Sequence, residues 1–192
     1  MKNLDKRADI MQAALELIAE RGFHGAPMAV IAEKAGVAAG TIYRYFENKD
    51  VLIAELHRDL EDKILEALQE DYPSGKPLRE RFLFLIRTLL KYFIERPLHF
   101  RYMEQFFNSP YGITMHRERF LVKFGNRSDS IRELFEEGIS QQILKDLPVA
   151  VLFSLAFGPM SILVRDHILG FVVLDEFLVK QITEACWDAI KR

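Results

Sequence analysis

The sequence predicts an all-α fold. Hydrophobic residues recur with the helical period along almost the whole chain, and strand-like alternation bounded by turn residues is hard to find. The seven prolines and ten glycines fall mostly between the periodic segments. With 192 residues, 49% of them hydrophobic, the chain is long enough to bury the core of one large domain or two small ones.

Nine helices are predicted along the chain. The first runs from about Asp5 to Arg21, with one apolar face and Gly22 as its C-terminal stop. The others are predicted at residues 27–35, 38–46, 48–70, 78–95, 97–108, 116–143, 148–169 and 175–191. Segment 71–77 is the clearest break. We therefore predict an N-terminal three-helix head, residues 1–50, joined through a long fourth helix to a helical body, residues 51–192.

Charge and cysteine content restrict the classes of function. Lys and Arg number 26 against 28 Asp and Glu, which excludes a chain-wide basic coat for blind binding of nucleic acid. Site-specific DNA binding remains possible, because a few well-placed cations suffice. Cys186 is the single cysteine and the N-terminus lacks the pattern of a signal peptide, so we expect a cytoplasmic protein. The apolar run 149–164 is interrupted by polar residues, glycine and proline, which favours a buried or interface helix.

Residues 28–46 carry the features of a helix-turn-helix. Ile31 and Ala32 supply a close helix crossing, Gly36 can adopt the positive φ that ends a helix, and Val37 fills the turn. The buried face of the second helix is expected at spacing i, i+3 and i+4, on Ile42, Tyr45 and Phe46. These constraints occur together at fixed spacing, so the pattern is specific.

The opposite face of that second helix suits a DNA duplex. Arg44 can donate paired hydrogen bonds to a guanine edge, and the hydroxyls of Thr41 and Tyr43 can reach phosphate or base. Asn48 is predicted to cap the next helix, with Lys49 in its first turn, which forms a phosphate clamp. The alternative is a plain packing corner whose polar face is only solvated.

The stretch from Arg21 to Leu52 resembles the DNA-binding head of the TetR/AcrR family of transcriptional repressors, and the match covers roughly residues 8–56. The matching elements are Gly22-Phe23, Ile31-Ala32, Ala35-Gly36-Val37, Gly40-Thr41-Ile42-Tyr43, Tyr45-Phe46 and Lys49. The resemblance implies DNA contacts at Ala39, Gly40, Thr41, Tyr43, Arg44, Tyr45 and Lys49. It also implies a helical body that binds a ligand and dimerises.

Two departures from the family pattern concern the starts of the two short helices. Family members usually carry Thr or Ser where this chain has Ala26-Pro27, and often Ser followed by Lys or Arg where it has Ala38-Ala39. Both helix starts are therefore expected to lack a hydroxyl cap.

The body contains material for an effector pocket. A broad helix face combines aromatic and polar side chains, and a later helix can close the cavity. The candidate pocket residues are His99, Tyr102, Met103, Phe106, Phe107, Phe120 and Phe157. The alternative is an ordinary core, because aromatic residues at helical spacing are more often packing residues.

The last two helices are predicted to form a homodimer interface as a four-helix bundle. One stripe consists of Val149, Leu152, Phe153, Ala156 and Met160, and the other of Leu178, Ile182, Cys186 and Ala189. The alternative is that these stripes are buried within the subunit.

We therefore expect a ligand-responsive transcriptional repressor. It would bind a palindromic DNA operator as a homodimer and be released by a small apolar or amphipathic effector, without a cofactor or a membrane. Five scattered histidines give no metal-ligand spacing, and no catalytic arrangement rises above chance, so neither a metal site nor an enzyme is predicted. The alternative is a helical protein-interaction module whose head does not recognise DNA.

Overall fold

The computed structural model describes residues 2–114 and 130–192, and it confirms the all-α prediction. The helices are α1 (Lys2–Arg21), α2 (Met28–Lys34), α3 (Ala39–Ile42), α4 (Lys49–Gln69), α5 (Leu78–Glu95), α6 (Pro97–Phe107), α7 (Ser130–Ser140), α8 (Val149–Ile168) and α9 (Glu176–Ile190). Residues 110–114 form a further helical turn. Most predicted bounds lie within one turn of the observed ones, and the first part of the helix predicted at 116–143 lies outside the described residues.

Local sequence signals explain several helix ends. Gly22 adopts a φ of 69°, which an L-residue rarely tolerates, and its N–H donates to the carbonyl of Ile18 at 2.9 Å. The predicted stop of α1 is therefore confirmed. At the start of α9, the Asp175 carboxylate accepts a hydrogen bond from the Leu178 N–H at 2.8 Å and caps the helix.

The described chain forms two compact units. Residues 2–63 and 96–114 make the first, and residues 64–95 and 130–192 make the second. The chain passes from the first unit to the second within α4. Helix α6 belongs to the first unit, which the sequence did not indicate. The functional division at residue 50 stays a prediction.

The first unit is built on α1, which packs against α2 and α6, while α2 packs against α3. Ile10, Ala14 and Ile18 on the predicted apolar face of α1 are fully buried. The same unit contains an aromatic cluster, defined by Phe23, His57, Tyr102, Phe106 and Tyr111. Burial of the Phe106 ring, which is 2% exposed, stabilises the unit by about 1.5–3 kcal/mol.

The second unit packs α5 against α8 and α9, with α7 beside α8. Phe82 on α5 lies 5.4 Å from Trp187 and 6.3 Å from Phe135, measured between ring centroids. Phe135 in turn lies 6.3 Å from Phe157. These edge and tilted ring contacts are the geometries that aromatic pairs favour, and they form the core of this unit.

Within the described ranges, α8 is the one helix that is long and apolar enough to cross a membrane by length and composition. Interior helices of water-soluble proteins meet the same criterion, so the observation is weak evidence for a membrane span. Leu152, Ala156 and Val164 on one side of α8 are fully buried within the subunit.

Candidate nucleic-acid interface

The crossing of α2 and α3 has the geometry that the sequence predicts for a helix-turn-helix. Ile31 and Ala32 are fully buried at the crossing. Gly36 adopts a φ of 66° directly after α2, and the Val37 N–H donates to the Ala32 carbonyl at 2.9 Å. The turn therefore reverses the chain through a left-handed residue, and Val37 is half-buried beneath it.

Helix α3 is shorter than predicted. Its regular part ends at Ile42, and the chain continues through a tighter turn. In this turn the Arg44 N–H donates to the Thr41 carbonyl and the Tyr45 N–H donates to the Ile42 carbonyl, both at 3.1 Å. Hydrogen bonds between residues i and i+3, as in a 3₁₀-helix, commonly tighten the last turn of an α-helix. Phe46, whose N–H reaches the Ile42 carbonyl at 3.0 Å, is fully buried.

The predicted contact residues divide into exposed and partly buried groups. Ala39, Gly40, Tyr43 and Arg44 are exposed, and 55% of Tyr43 is accessible to solvent. Thr41, Tyr45 and Lys49 are half-buried. One face of α3 and its following turn thus presents polar side chains outward, while Ile42 and Phe46 anchor the other face. Their assignment as DNA contacts remains a prediction.

The start of α4 is organised by two residues that the sequence singled out. The Asn48 side-chain oxygen accepts a hydrogen bond from the Val51 N–H at 2.9 Å, which confirms the predicted cap. The Lys49 ammonium donates to the Phe23 carbonyl and keeps two further protons for other acceptors. Burial lowers the pKa of Lys49, and the neighbouring Asp50 carboxylate partly offsets that effect.

Neither α2 nor α3 has a side-chain cap. Pro27 and Ala38 occupy the cap positions with extended backbone angles, and neither side chain accepts a hydrogen bond there. The expected absence of hydroxyl caps at these two helices is therefore confirmed.

The uncapped start of α3 leads to a prediction about Ala38. Its φ of −63° and ψ of 144° already suit a cap, so Ala38→Ser should raise the free energy of unfolding by about 1 kcal/mol. Ala39→Ser is the matched control, because a hydroxyl one residue inside the helix cannot cap it. Chemical denaturation measures both variants. Equal stabilities of Ala38→Ser and the control would show that the cap position is misassigned.

The left-handed turn leads to a second prediction. Among the described residues, a methyl group added at Gly36 would meet no neighbouring side chain or backbone within 4 Å, so we expect Gly36→Ala to cost the backbone strain, about 1 kcal/mol of unfolding free energy. Gly40→Ala is the matched control, since that site is equally open but has no positive φ and lies in a helix. It should stabilise the protein. Thermal unfolding of both variants checks the expected opposite signs.

The candidate pocket residues are distributed over both units. Tyr102, Met103 and Phe106 are buried in the first unit, and half-buried His99 belongs to it too. Burial lowers the pKa of His99, with further lowering by Lys63 and Arg96. The remaining candidates are Phe107, which is exposed, Phe157, which is buried in the second unit, and Phe120, which lies outside the described residues. The pocket therefore stays a prediction.

Much of the predicted dimer stripe is buried inside the subunit. Leu152, Ala156 and Met160 of α8 are buried, as are Ile182 and Cys186 of α9, because these faces pack within the second unit. This burial supports the alternative for these five residues, and the homodimer through the last two helices stays a prediction. Phe153, which stacks on Phe157, is 40% exposed, and the remaining stripe residues, Val149, Leu178 and Ala189, are half-buried.

A different face of α8 is open. Val151, Leu155 and Ile162 are 41%, 39% and 55% exposed, and their spacing of four and seven residues places them on one side of the helix. Phe177 of α9 is 70% exposed. Sequence reasoning missed this face because α8 is apolar on both sides. The spacing was present in the sequence as a second apolar stripe.

Two family models match the chain. The model described as bacterial regulatory proteins of the tetR family matches residues 10–56, and the model described as a tetracyclin repressor-like C-terminal domain matches residues 77–191. The chain belongs to the TetR family. It is accordingly a DNA-binding transcriptional regulator rather than an enzyme, and the helix-turn-helix lies within the first matched segment.

Three relatives illustrate the similarity. An uncharacterized helix-turn-helix-type transcriptional regulator of Haemophilus influenzae is 26% identical over 98% of this chain and 97% of its own length. The fatty acid metabolism regulator protein of Bacillus subtilis is 37% identical, but the match covers only 42% of each protein. The structure of a TetR family protein from Vibrio parahaemolyticus is 33% identical, with a TM-score of 0.74 and coverage of 97% of this chain and 99% of that one.

Proposed function

We propose that this chain is a transcriptional repressor that binds a palindromic operator as a homodimer and is released by a small-molecule effector. The observation that carries the proposal is the exposed polar face of α3 and its turn. Tyr43 and Arg44 are exposed there, while Ile42 and Phe46 fix the helix from behind. A helix held in this way can enter the major groove and meet base edges and phosphates.

The small size of α3 supports a dimer. A helix of four residues with one following turn can contact few base pairs, so one head alone gives limited specificity. Two heads related by twofold symmetry would bind two half-sites about 34–36 Å apart, in successive major grooves. The operator is therefore proposed to be a palindrome.

The open face of α8 supports a second copy of the chain as its occupant. Val151, Leu155 and Ile162 present a continuous apolar stripe, which is costly when left in water. Phe177 extends the apolar surface at the start of α9. We place the dimer contact on this open face of the last two helices. Burial in a dimer contact then explains the apolar character of α8 without a membrane. We accordingly propose that the regulator acts in the cytosol.

The proposed effector is apolar or amphipathic. One relative regulates fatty acid metabolism by its name, and the candidate side chains on α6 are mainly aromatic. Because Tyr102 and Phe106 pack on Phe23 and His57, a ligand at α6 would have to open the aromatic cluster. Such a ligand acts only through its different affinity for the DNA-binding and released states. A long-chain fatty acid is a suitable first probe.

Selection from a random-sequence DNA library tests the proposal without knowledge of the operator. We expect enriched duplexes with two inverted half-sites about one helical turn apart. Addition of a long-chain fatty acid to the selected duplex then tests release by an effector. Failure to enrich any sequence would overturn DNA recognition and favour a helical protein-interaction module. Enrichment of a single half-site would overturn the dimer.

A further inference from the structure

Tyr111 follows α6 in the chain and bonds to the start of α4 in the same unit. Its hydroxyl donates to the Asp50 carboxylate at 2.6 Å. Its ring lies 5.3 Å from the ring of Phe23, at an interplanar angle of 46°. Tyr111 therefore contacts two residues that are 27 positions apart in sequence, one in the loop after α1 and one in the first turn of α4.

These two partners of Tyr111 are the groups that flank Lys49. The Phe23 carbonyl accepts a hydrogen bond from the Lys49 ammonium, and Asp50 follows Lys49 in the chain and acts on its charge. Lys49 lies beside the capped start of α4, where N–H groups and an ammonium together can bind a phosphate. Without the bond from Tyr111, the Asp50 carboxylate would be free to turn toward the Lys49 ammonium and to compete with a phosphate for it.

We propose that Tyr111 is a positioning residue for DNA binding, which holds Phe23 and Asp50 so that the Lys49 ammonium faces the phosphate backbone. The inference rests on the proposed function. The hydroxyl of Tyr111 occupies the Asp50 carboxylate, and its ring fixes the residue whose carbonyl orients Lys49. Burial, followed by the bond to Asp50, raises the pKa of Tyr111 to about 12, so the hydroxyl stays a donor at neutral pH.

Tyr111→Phe tests the proposal, because it keeps the ring against Phe23 and removes only the hydroxyl. The probe is the duplex enriched from the random library, and anisotropy measures its affinity at several salt concentrations. We expect the affinity of Tyr111→Phe for this duplex to fall about fivefold, a change of the size found when two contacting residues depend on each other. The slope of log affinity against log salt should become shallower by about 0.9 for each phosphate that the variant no longer neutralises.

Two further variants separate positioning from a structural role. In the Lys49→Gln background, Tyr111→Phe should change affinity less than about twofold, since coupled residues are not additive. Thr114→Ala is the matched control. It removes a hydroxyl from the same helical turn, where the Thr114 side chain donates to the Pro110 carbonyl at 3.0 Å. It should keep the affinity and salt slope of the unsubstituted protein.

Three results would overturn the inference. The first is unchanged affinity in Tyr111→Phe. The second is a loss of affinity in Tyr111→Phe that leaves the salt slope unchanged and is equally large in the Lys49→Gln background. That result would mean that Tyr111 only stabilises the fold. The third is an equal loss in Thr114→Ala. If the unsubstituted protein enriches no duplex at all, the proposed function itself fails and this inference fails with it.

Discussion

Replacing Tyr43 with alanine is expected to lower DNA affinity by roughly a hundredfold. The physical reason is that Tyr43 lies at the exposed end of α3, where its hydroxyl can donate to a phosphate. A hydrogen bond to a charged group contributes about 1.5 kcal/mol, and a dimer makes the contact twice. Because more than half of Tyr43 is exposed, the free energy of unfolding should change by less than about 0.5 kcal/mol.

Tyr43→Phe is the matched variant for this prediction. It keeps the ring and removes only the hydroxyl, so it should show most of the loss in affinity. Anisotropy with the selected duplex and sedimentation for the oligomeric state measure the two variants together. Unchanged affinity in Tyr43→Ala, with the fold intact, would contradict the assignment of this face to DNA.

Replacing Ile162 with glutamate is expected to convert the dimer into monomers and to abolish tight operator binding. Ile162 is 55% exposed in the subunit, and the proposed interface would bury the introduced carboxylate without a partner. An unpaired buried charge costs about 3 kcal/mol or more, which weakens dimerisation by roughly a hundredfold or more. A monomer can place only one α3 helix on one half-site, so it loses the binding free energy that the second half-site contributes.

Ser74→Glu is the control for Ile162→Glu, since it adds the same charge in the exposed loop between α4 and α5. It should leave the dimer and the DNA affinity unchanged. Light scattering after size-exclusion chromatography measures the mass of each variant. A stable dimer in Ile162→Glu would mean that the subunits meet on another surface.

The helices were predictable from sequence because their signals are local. Gly22, Gly36 and Asn48 each act within one turn, through a positive φ or a side-chain cap, and the structure confirms all three. The length of α3 was overestimated, since periodicity does not distinguish the regular helix that ends at Ile42 from the tighter turn that follows.

Tertiary choices were less predictable. Helix α8 carries two apolar stripes, and the sequence does not say which one packs against α5 and α9. The stripe with Leu152 and Ala156 is buried in the subunit, whereas the stripe with Val151 and Ile162 is open. Periodicity alone does not distinguish the stripe that packs inside the subunit from the stripe that stays open.

The candidate site shows the same division between local and distant signals. Its polar face follows from the spacing within α3. The contact of Tyr111 with Asp50 joins residues 61 positions apart, and no local pattern indicates it. The placement of α6 in the first unit, against α1, depends on the same kind of long-range packing.

The central claim is that this protein binds a specific DNA sequence. Fluorescence anisotropy of the purified protein, with labelled DNA from upstream of the gene that encodes it, tests this claim most directly. The measurement uses two salt concentrations and a scrambled duplex as the control. We predict tight binding to the upstream duplex, weak binding to the scrambled one, and a steep fall of affinity with salt, because phosphate contacts release counterions. Equal and weak binding to both duplexes, together with failure to enrich any sequence from the random library, would contradict the account.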